Sequence, residues 1–190
     1  MNEKNAVPAL QAEHISKRYD GRTIIQDISL CLKQGELICL LGVSGAGKTT
    51  LFHSLSGLER PDEGRVLLNG EDVTGVPGKI SYMLQRDLLL PHKKIADNVA
   101  LPLVIQGKRA KEAREEALPY FARFGLEGTE EQYPAQLSGG MRQRAALLRT
   151  FLGSKGVVLL DEPFSALDAL TKREIHKWYM GMMEQLKLTT

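Results

Sequence analysis

Three short stretches hold the residues best suited to chemistry. Gly42-Val43-Ser44-Gly45-Ala46-Gly47-Lys48-Thr49 fits the pattern GxxxxGK[ST]. Small residues there let backbone N–H groups close around phosphates, and the start of a following helix adds partial positive charge. Lys48 would reach the β- and γ-phosphates, and the Thr49 hydroxyl would bind Mg²⁺. Val157-Val158-Leu159-Leu160 is an apolar run ending in Asp161 and Glu162. A buried strand that delivers carboxylates at its C-terminal edge sets Asp161 to hold the Mg²⁺ shell and Glu162 to polarise an attacking water. The third stretch is Leu137-Ser138-Gly139-Gly140, at the head of LSGGMRQR. A glycine turn that opens a basic helix, shortly before an aspartate-bearing strand, points to a second phosphate-facing surface that serves a partner molecule. Each stretch alone has a plainer reading: a glycine-rich turn, a surface turn, and a helix N-cap at Ser138.

These residues need particular elements to position them. Residues 9–18 and 23–32 read as strands, closed by Asp20-Gly21 and Lys33-Gln34-Gly35. Residues 36–41 form a nearly unbroken apolar run directly before the glycine loop, as expected of a strand buried on both faces. A helix over 47–58 should follow, then a turn at Arg60-Pro61-Asp62-Glu63-Gly64. Asn69-Gly70 between 66–68 and 71–73 reads as a hairpin, and 80–84 as another short strand. After Gln85 the spacing turns helical, over 95–105 and 109–124. Lys111, Glu112, Arg114, Glu115 and Glu116 give the second of these helices a solvated charged face, and Gly125 and Gly128 end it. A third helix follows Gly140, then the strand over 157–160 and a final helix over 169–186. The pattern is α/β with an all-helical insertion, and it lacks internal repeats. It divides into a β-subdomain with the phosphate-loop core at 1–85, a helical subdomain at 86–150 and a returning core segment at 151–190.

Composition narrows the class. A chain of 190 residues with formal net charge +2 makes one substantial domain and no global electrostatic case for nucleic acid. It contains no apolar run long enough to span a bilayer. The opening MNEKNAVPALQAEH has no apolar stretch of the kind secretion signals carry. Cys31 and Cys39, the two cysteines, each sit in an apolar strand-like run. Buried free thiols are expected there, in a reducing cytoplasm, rather than a disulfide or a metal site.

Together the motifs carry a family resemblance. LSGGMRQR at 137–144, VVLLDEP at 157–163 and SALD at 165–168 follow the phosphate loop in order. The chain resembles the ATP-binding subunit of ABC transporters over essentially its whole length. That resemblance implies a P-loop NTPase (RecA-like) core with an N-terminal antiparallel β-subdomain and an inserted α-helical subdomain. It implies ATP and Mg²⁺ as cofactors and a head-to-tail homodimer. In that dimer Leu137, Ser138, Gly139, Gly140 and Met141 of one subunit close on the γ-phosphate held by Lys48 of the other. By the same resemblance the nucleotide contacts run from Gly42 through Thr50. Tyr19 in KRYDG matches the aromatic that stacks on adenine. Gln85 in YMLQRD matches the glutamine that contacts Mg²⁺ or the attacking water, at a hinge beside the chemistry. The implied catalytic set is Glu162, Gln85 and Lys48, and the implied metal set is Thr49, Gln85 and Asp161. Ser165, Ala166, Leu167 and Asp168 match the loop that communicates across the dimer; without the resemblance they would read as a helix N-cap.

Two departures are minor: Val43 stands where many relatives carry proline, and Met141 where many carry glutamine. Methionine there is familiar in importer-type subunits. A third is larger. The family places a switch histidine at the tip of a strand after the helix that follows SALD, and the sequence ends at Thr190 before it. His176 lies within the preceding helix among Lys172, Arg173 and Lys177 and is expected to be a solvated surface residue; His14, His53 and His92 also lack the position. The expectation is a C-terminally truncated chain with an unpaired sheet edge, which binds ATP and hydrolyses it poorly.

The segment YMLQRDLLLPHKKIADNVALPL resembles importers for small nutrients, of the nitrate, sulfonate, taurine and thiamine-precursor group. That likeness implies transmembrane permease subunits as partners at the cytoplasmic face of the cell membrane. It implies an extracytoplasmic solute-binding protein indirectly, and no nucleic acid. Residues 88–91 are the candidates for a permease groove, with helical-subdomain core as the alternative. The competing reading is a soluble ABC-class ATPase of translation or DNA repair. Such proteins usually carry two ATPase halves or long coiled coils, and this sequence shows one half and no long heptad run.

Overall fold

Alternation of apolar and polar residues lays down two long antiparallel strands at the start of the chain. The structure is a computed structural model that describes residues 7–43, 45–154, 156–165, 169–186 and 189–190. Strand β1 (Leu10–Tyr19) pairs with β2 (Arg22–Leu32) through a turn at Asp20 and Gly21, whose φ values are 48° and 76°. On its other side β1 takes β3 (Glu63–Leu68), which turns at Asn69-Gly70 into β4 (Glu71–Asp72). The sheet order is β2-β1-β3-β4. Both turns use left-handed residues at their two central positions, the geometry that matches strand twist. Register shifts between Ala12 and Ile15, where His14 has φ 54°. Strict alternation would bring His14 to the inner face. The irregularity presents Ile15 there instead, 0% exposed. Helix α1 (Lys48–Ser56) adds Leu51 and Leu55 to the core that Leu10, Ala12, Ile15 and Val66 begin.

The chain divides into two compact bodies. The first holds this sheet and α1, together with the chain up to Tyr82, the segment ending at Asp161 and the last two residues. Strands β5 (Ser81–Met83) and β6 (Val158–Leu160) form a separate two-stranded sheet. The second body holds α2 (Ile95–Ile105), α3 (Ala110–Ala117), α4 (Tyr120–Arg123), α5 (Gly139–Gly153) and α6 (Ala169–Leu186). Helix α2 packs on α3 and α5, and Ile95, Val99 and Leu103, at four-residue spacing, are its buried stripe. Among the described residues, no helix is long and apolar enough to cross a membrane.

Three expectations need correction. Residues 36–41 are not a buried strand. Among the described residues their ladder bonds are the Thr190 N–H donating to Glu36 O at 3.0 Å and the Ile38 N–H donating to Thr190 O at 2.8 Å. Leu37 is 40% and Leu41 91% exposed. An apolar run becomes a buried parallel strand only when sequence-distant neighbours pair with it and cover both its faces. Here Thr189 and Thr190 stand beside it and also beside β6, where Thr189 bridges Val157 in parallel and the Val158 N–H donates to Thr189 O at 2.9 Å. Beyond that pair lies a cavity of about 50 Å³ lined by Ile38, Leu40, Phe52, Val158 and Leu160 among others. The second correction is the helix expected over 109–124. It is split into α3 and α4 at Pro119, which has no N–H to continue the helical ladder across the junction. The third concerns the cysteines: both are free, but both are exposed. Cys31 lies on the outward parity of an edge strand, and Cys39 lies in the 36–41 segment between Ile38 and Leu40, which pack on the core.

Candidate functional site

The phosphate loop is shaped by backbone before any side chain acts. Gly45 and Gly47 have φ of 82° and 86°, and Gly47 is the N-cap of α1. A Cβ on Gly47 would lie 2.7 Å from the Ile25 Cγ2 atom, so glycine is required both by φ and by space. No side chain caps α1, which leaves the N–H groups of its first turn for an anion. Lys48 Nζ folds back onto Gly42 O at 2.9 Å and Val43 O at 3.1 Å. The Thr49 hydroxyl donates to Asp161 Oδ2 at 2.7 Å, and the Tyr82 hydroxyl donates to the same oxygen at 3.1 Å. Asp161 is 5% exposed, which is the buried carboxylate expected from the end of β6. Burial, and then the Asp161 charge, raise the Tyr82 phenol above its ordinary pKa, so it stays a donor.

In the same body Tyr19 stands at the end of β1, 39% exposed. Its phenol donates to a Glu59 carboxylate oxygen, and Lys17 Nζ stands 5.7 Å from the ring centroid. That hydrogen bond is the main cause that holds Glu59 below the usual carboxylate range and the Tyr19 phenol above its own.

In the second body Gln85 Nε2 donates to Ser165 Oγ at 3.1 Å and lies 3.4 Å from Glu162 Oε2. Glu162 is exposed and takes φ 46°, an unusual conformation for a non-glycine residue, and its carbonyl accepts the Ser165 N–H at 3.0 Å. The structure therefore brings together Gln85, Glu162 and Ser165, which the sequence analysis had named from separate motifs. At the other glycine turn, Ser138 is the N-cap of α5 and its Oγ accepts the Met141 N–H at 3.3 Å. Gly139 and Gly140 form the first turn, and buried Leu137 is held by Arg142 Nη1 donating to its carbonyl at 2.8 Å. Ser44, Ala166, Leu167 and Asp168 lie outside the described residues.

Residues 88–91 divide by burial. Leu88 is 53% exposed at φ 45°, whereas Leu89 is 8% exposed and belongs to the core. Arg149 fixes this segment, donating to Leu88 O at 2.9 Å and to Asp87 O at 2.6 Å. Buried Asn98 holds Leu90, accepting its N–H at 2.6 Å and donating to its carbonyl at 3.0 Å. A concavity of about 690 Å³ opens beside Leu88, lined also by Gln85, Asp87 and Gln143. His176 is exposed, as expected, with its ring edge-on to Phe164 at 5.3 Å. Sequence reasoning missed Tyr82, Glu59, Asn98 and Arg149. Each is a single polar residue whose partner is distant or irregular in sequence, so no spacing marks it.

The order of loop, glycine turn and acidic strand is matched by known proteins. Residues 25–165 match the ABC transporter family. The chain belongs to that family. This ABC cassette is 48% identical over 181 residues to the formylaminopyrimidine import ATP-binding protein ThiZ of Halalkalibacterium halodurans, across 95% of this chain and 70% of that protein. It is 42% identical to the Fe(3+) ions import ATP-binding protein FbpC 1 of Rhizobium meliloti, spanning 93% of its own length and 51% of that protein's. Among solved structures it is similar to cbiO1 from Clostridium perfringens, part of the ABC transporter complex cbiONQ, at a TM-score of 0.83 and 26% identity, across 95% and 76% of the two chains. A dimeric bacterial ABC transporter cassette aligns at 0.80 and 27%, across 95% and 85%. The expected P-loop α/β fold and importer-type ABC kinship are thereby borne out, and ATP is the nucleotide of this cassette.

Proposed function

We propose that this cassette is the ATP-hydrolysing subunit of a small-nutrient importer. The observation that carries the reading is the Thr49 hydroxyl of the phosphate loop bonded at 2.7 Å to buried Asp161. A hydroxyl and a carboxylate so placed are a donor set that suits Mg²⁺, and Thr49 and Asp161 would hold it. Bound there, Mg²⁺ would supply positive charge to offset the negative charge of the phosphates during transfer. The chain's own residues supply the rest. Lys48 exchanges the Gly42 and Val43 carbonyls for phosphate oxygens, and the uncapped start of α1 receives the negative charge. Glu162 accepts the proton of the attacking water. Gln85, within 3.4 Å of Glu162 Oε2 and 3.1 Å of Ser165 Oγ, orients that water and reports the state of the site to Ser165.

A second copy completes the site through Ser138, Gly139 and Gly140. Closure of the two copies around ATP, and their release after hydrolysis, then reshapes permease subunits at the cytoplasmic face of the membrane. Exposed Leu88, fixed by Arg149 beside the concavity, is the permease contact this reading selects. Leu88→Glu is expected to abolish co-purification with the permease while leaving the melting temperature unchanged; full retention of the complex would refute the docking role. Lys48→Ala is expected to weaken ATP binding by on the order of a hundredfold. Wild-type affinity in that variant, by equilibrium titration, would overturn the site. For the 190-residue polypeptide by itself we propose slow steady-state hydrolysis, since among the described residues 36–41, which carries the phosphate loop, takes its ladder bonds from Thr190. Turnover equal to that of the relatives would contradict this.

A further inference from the structure

The phenol of Tyr19 does not end in solvent. It donates to a Glu59 carboxylate oxygen, and the other Glu59 oxygen lies 3.2 Å from His53 Nδ1. The Glu59 backbone is fixed too, since its N–H donates to His53 O at 3.1 Å. His53 belongs to the last turns of α1, whose first residues are Lys48 and Thr49. Just past α1, Gly57 ends the helix at φ 76°, where a Cβ would lie 2.5 Å from Val76 O, so the chain leaves the helix by one route only. Lys17, bonded to Arg60 O at 2.9 Å and Asp62 Oδ1 at 3.1 Å, lies over the Tyr19 ring. An aromatic side chain at the end of a strand, 39% exposed, would otherwise sample several rotamers.

We propose that Glu59 is a positioning residue that holds the Tyr19 ring ready as the platform for the nucleotide base. The inference rests on the reading of Tyr19 as the base-stacking residue. One short helix then sets both ends of the nucleotide site: its start presents Lys48 and Thr49 to the phosphates, and the turn after its end fixes the ring. Glu59 touches no part of the nucleotide; it acts by removing the freedom Tyr19 would have to lose on binding. Ordering one such side chain on binding corresponds to about a two- to tenfold change in affinity. The carboxylate is held in its charged, accepting form and the phenol in its donating form by their mutual bond, so the contact persists across the neutral range.

The experiment measures the Kd of a fluorescent ATP analogue and, separately, inhibition by inorganic tripolyphosphate, which reports the phosphate end alone. Glu59→Ala is expected to weaken the analogue about two- to tenfold and to leave tripolyphosphate inhibition as in wild type. Glu59→Gln keeps an accepting oxygen and is expected to bind like wild type. Tyr19→Phe keeps the ring and loses the bond, so it is expected to match Glu59→Ala, and Glu59→Ala added to it is expected to do nothing more. An additive loss in the double variant, or an equal loss for tripolyphosphate, would overturn the positioning role. Tyr19→Ala separates the two readings. If it binds like wild type, the stacking role itself fails. If it loses affinity while Glu59→Ala does not, the positioning role alone fails.

Discussion

Two glycine turns in this molecule each open a helix, yet they are built in opposite ways. At Gly47 the N-cap is a left-handed glycine pressed against Ile25, and no side chain caps α1. The local lysine rests on the loop's own carbonyls and the local threonine on a buried acid. At Ser138 the N-cap residue is extended, and its hydroxyl oxygen accepts from the first turn of α5. The first turn is a socket whose N–H groups await an anion. The second already satisfies part of its own helix and turns an exposed serine outward. A self-capped, exposed turn suits an element that meets its phosphate on another molecule; an uncapped turn among counter-charges suits one that grips it within the chain.

That contrast can be broken or sharpened by substitution. The largest effect is expected away from both turns, as a reference. Glu162→Gln should slow hydrolysis by about 10²–10⁴-fold while ATP still binds, measured as single-turnover phosphate release. Turnover close to wild type would remove Glu162 as the base. Next comes Gly47→Ala, which forces a Cβ to within 2.7 Å of Ile25 Cγ2 at φ 86°. A stability loss of about 1–3 kcal/mol is expected by chemical denaturation, together with lost ATP binding. Ser138→Ala should cost less, about 0.5–1 kcal/mol, because it removes one cap bond of 3.3 Å from an exposed helix start. Equal losses in the two variants would erase the proposed difference between the turns.

The smallest effect concerns pH. The folded chain holds the Tyr82 proton more tightly than an exposed phenol does. Stability from this group is therefore intact below the ordinary tyrosine value of about 10 and falls as pH rises above it, because the unfolded phenol ionises first. Tyr82→Phe should flatten the alkaline arm of the stability profile relative to wild type; identical arms would show that Tyr82 is not coupled to Asp161 in solution.

Much of this contrast was legible in the residues. The phosphate loop, the acidic strand end and the glycine turn are local patterns whose chemistry follows from spacing, and the hairpin at Asn69-Gly70 is equally local. What was not legible depends on distant neighbours. The apolar run at 36–41 looks like a buried strand, but burial requires flanking strands, and among the described residues Thr190 is the one that pairs with it beyond the adjoining turn. The exposure of Cys39 follows from the same cause. Pro119 was visible, yet the charged face around it read as one helix. Thr49 and Asp161, 112 positions apart, were joined by their motifs through a shared Mg²⁺, whereas the Tyr19–Glu59 contact spans 40 positions that no motif encodes.

The central claim is that the two turns belong to one site on two copies of the chain. It is tested most directly by mixing two variants, Lys48→Ala and Ser138→Arg, each in a Glu162→Gln background that retains ATP. Sedimentation with ATP should show each variant alone as a monomer, and the mixture as a heterodimer that joins one intact phosphate loop to one intact glycine turn. ATP-driven dimers of Ser138→Arg alone, or a mixture that stays monomeric while the parent Glu162→Gln chain dimerises, would contradict the account.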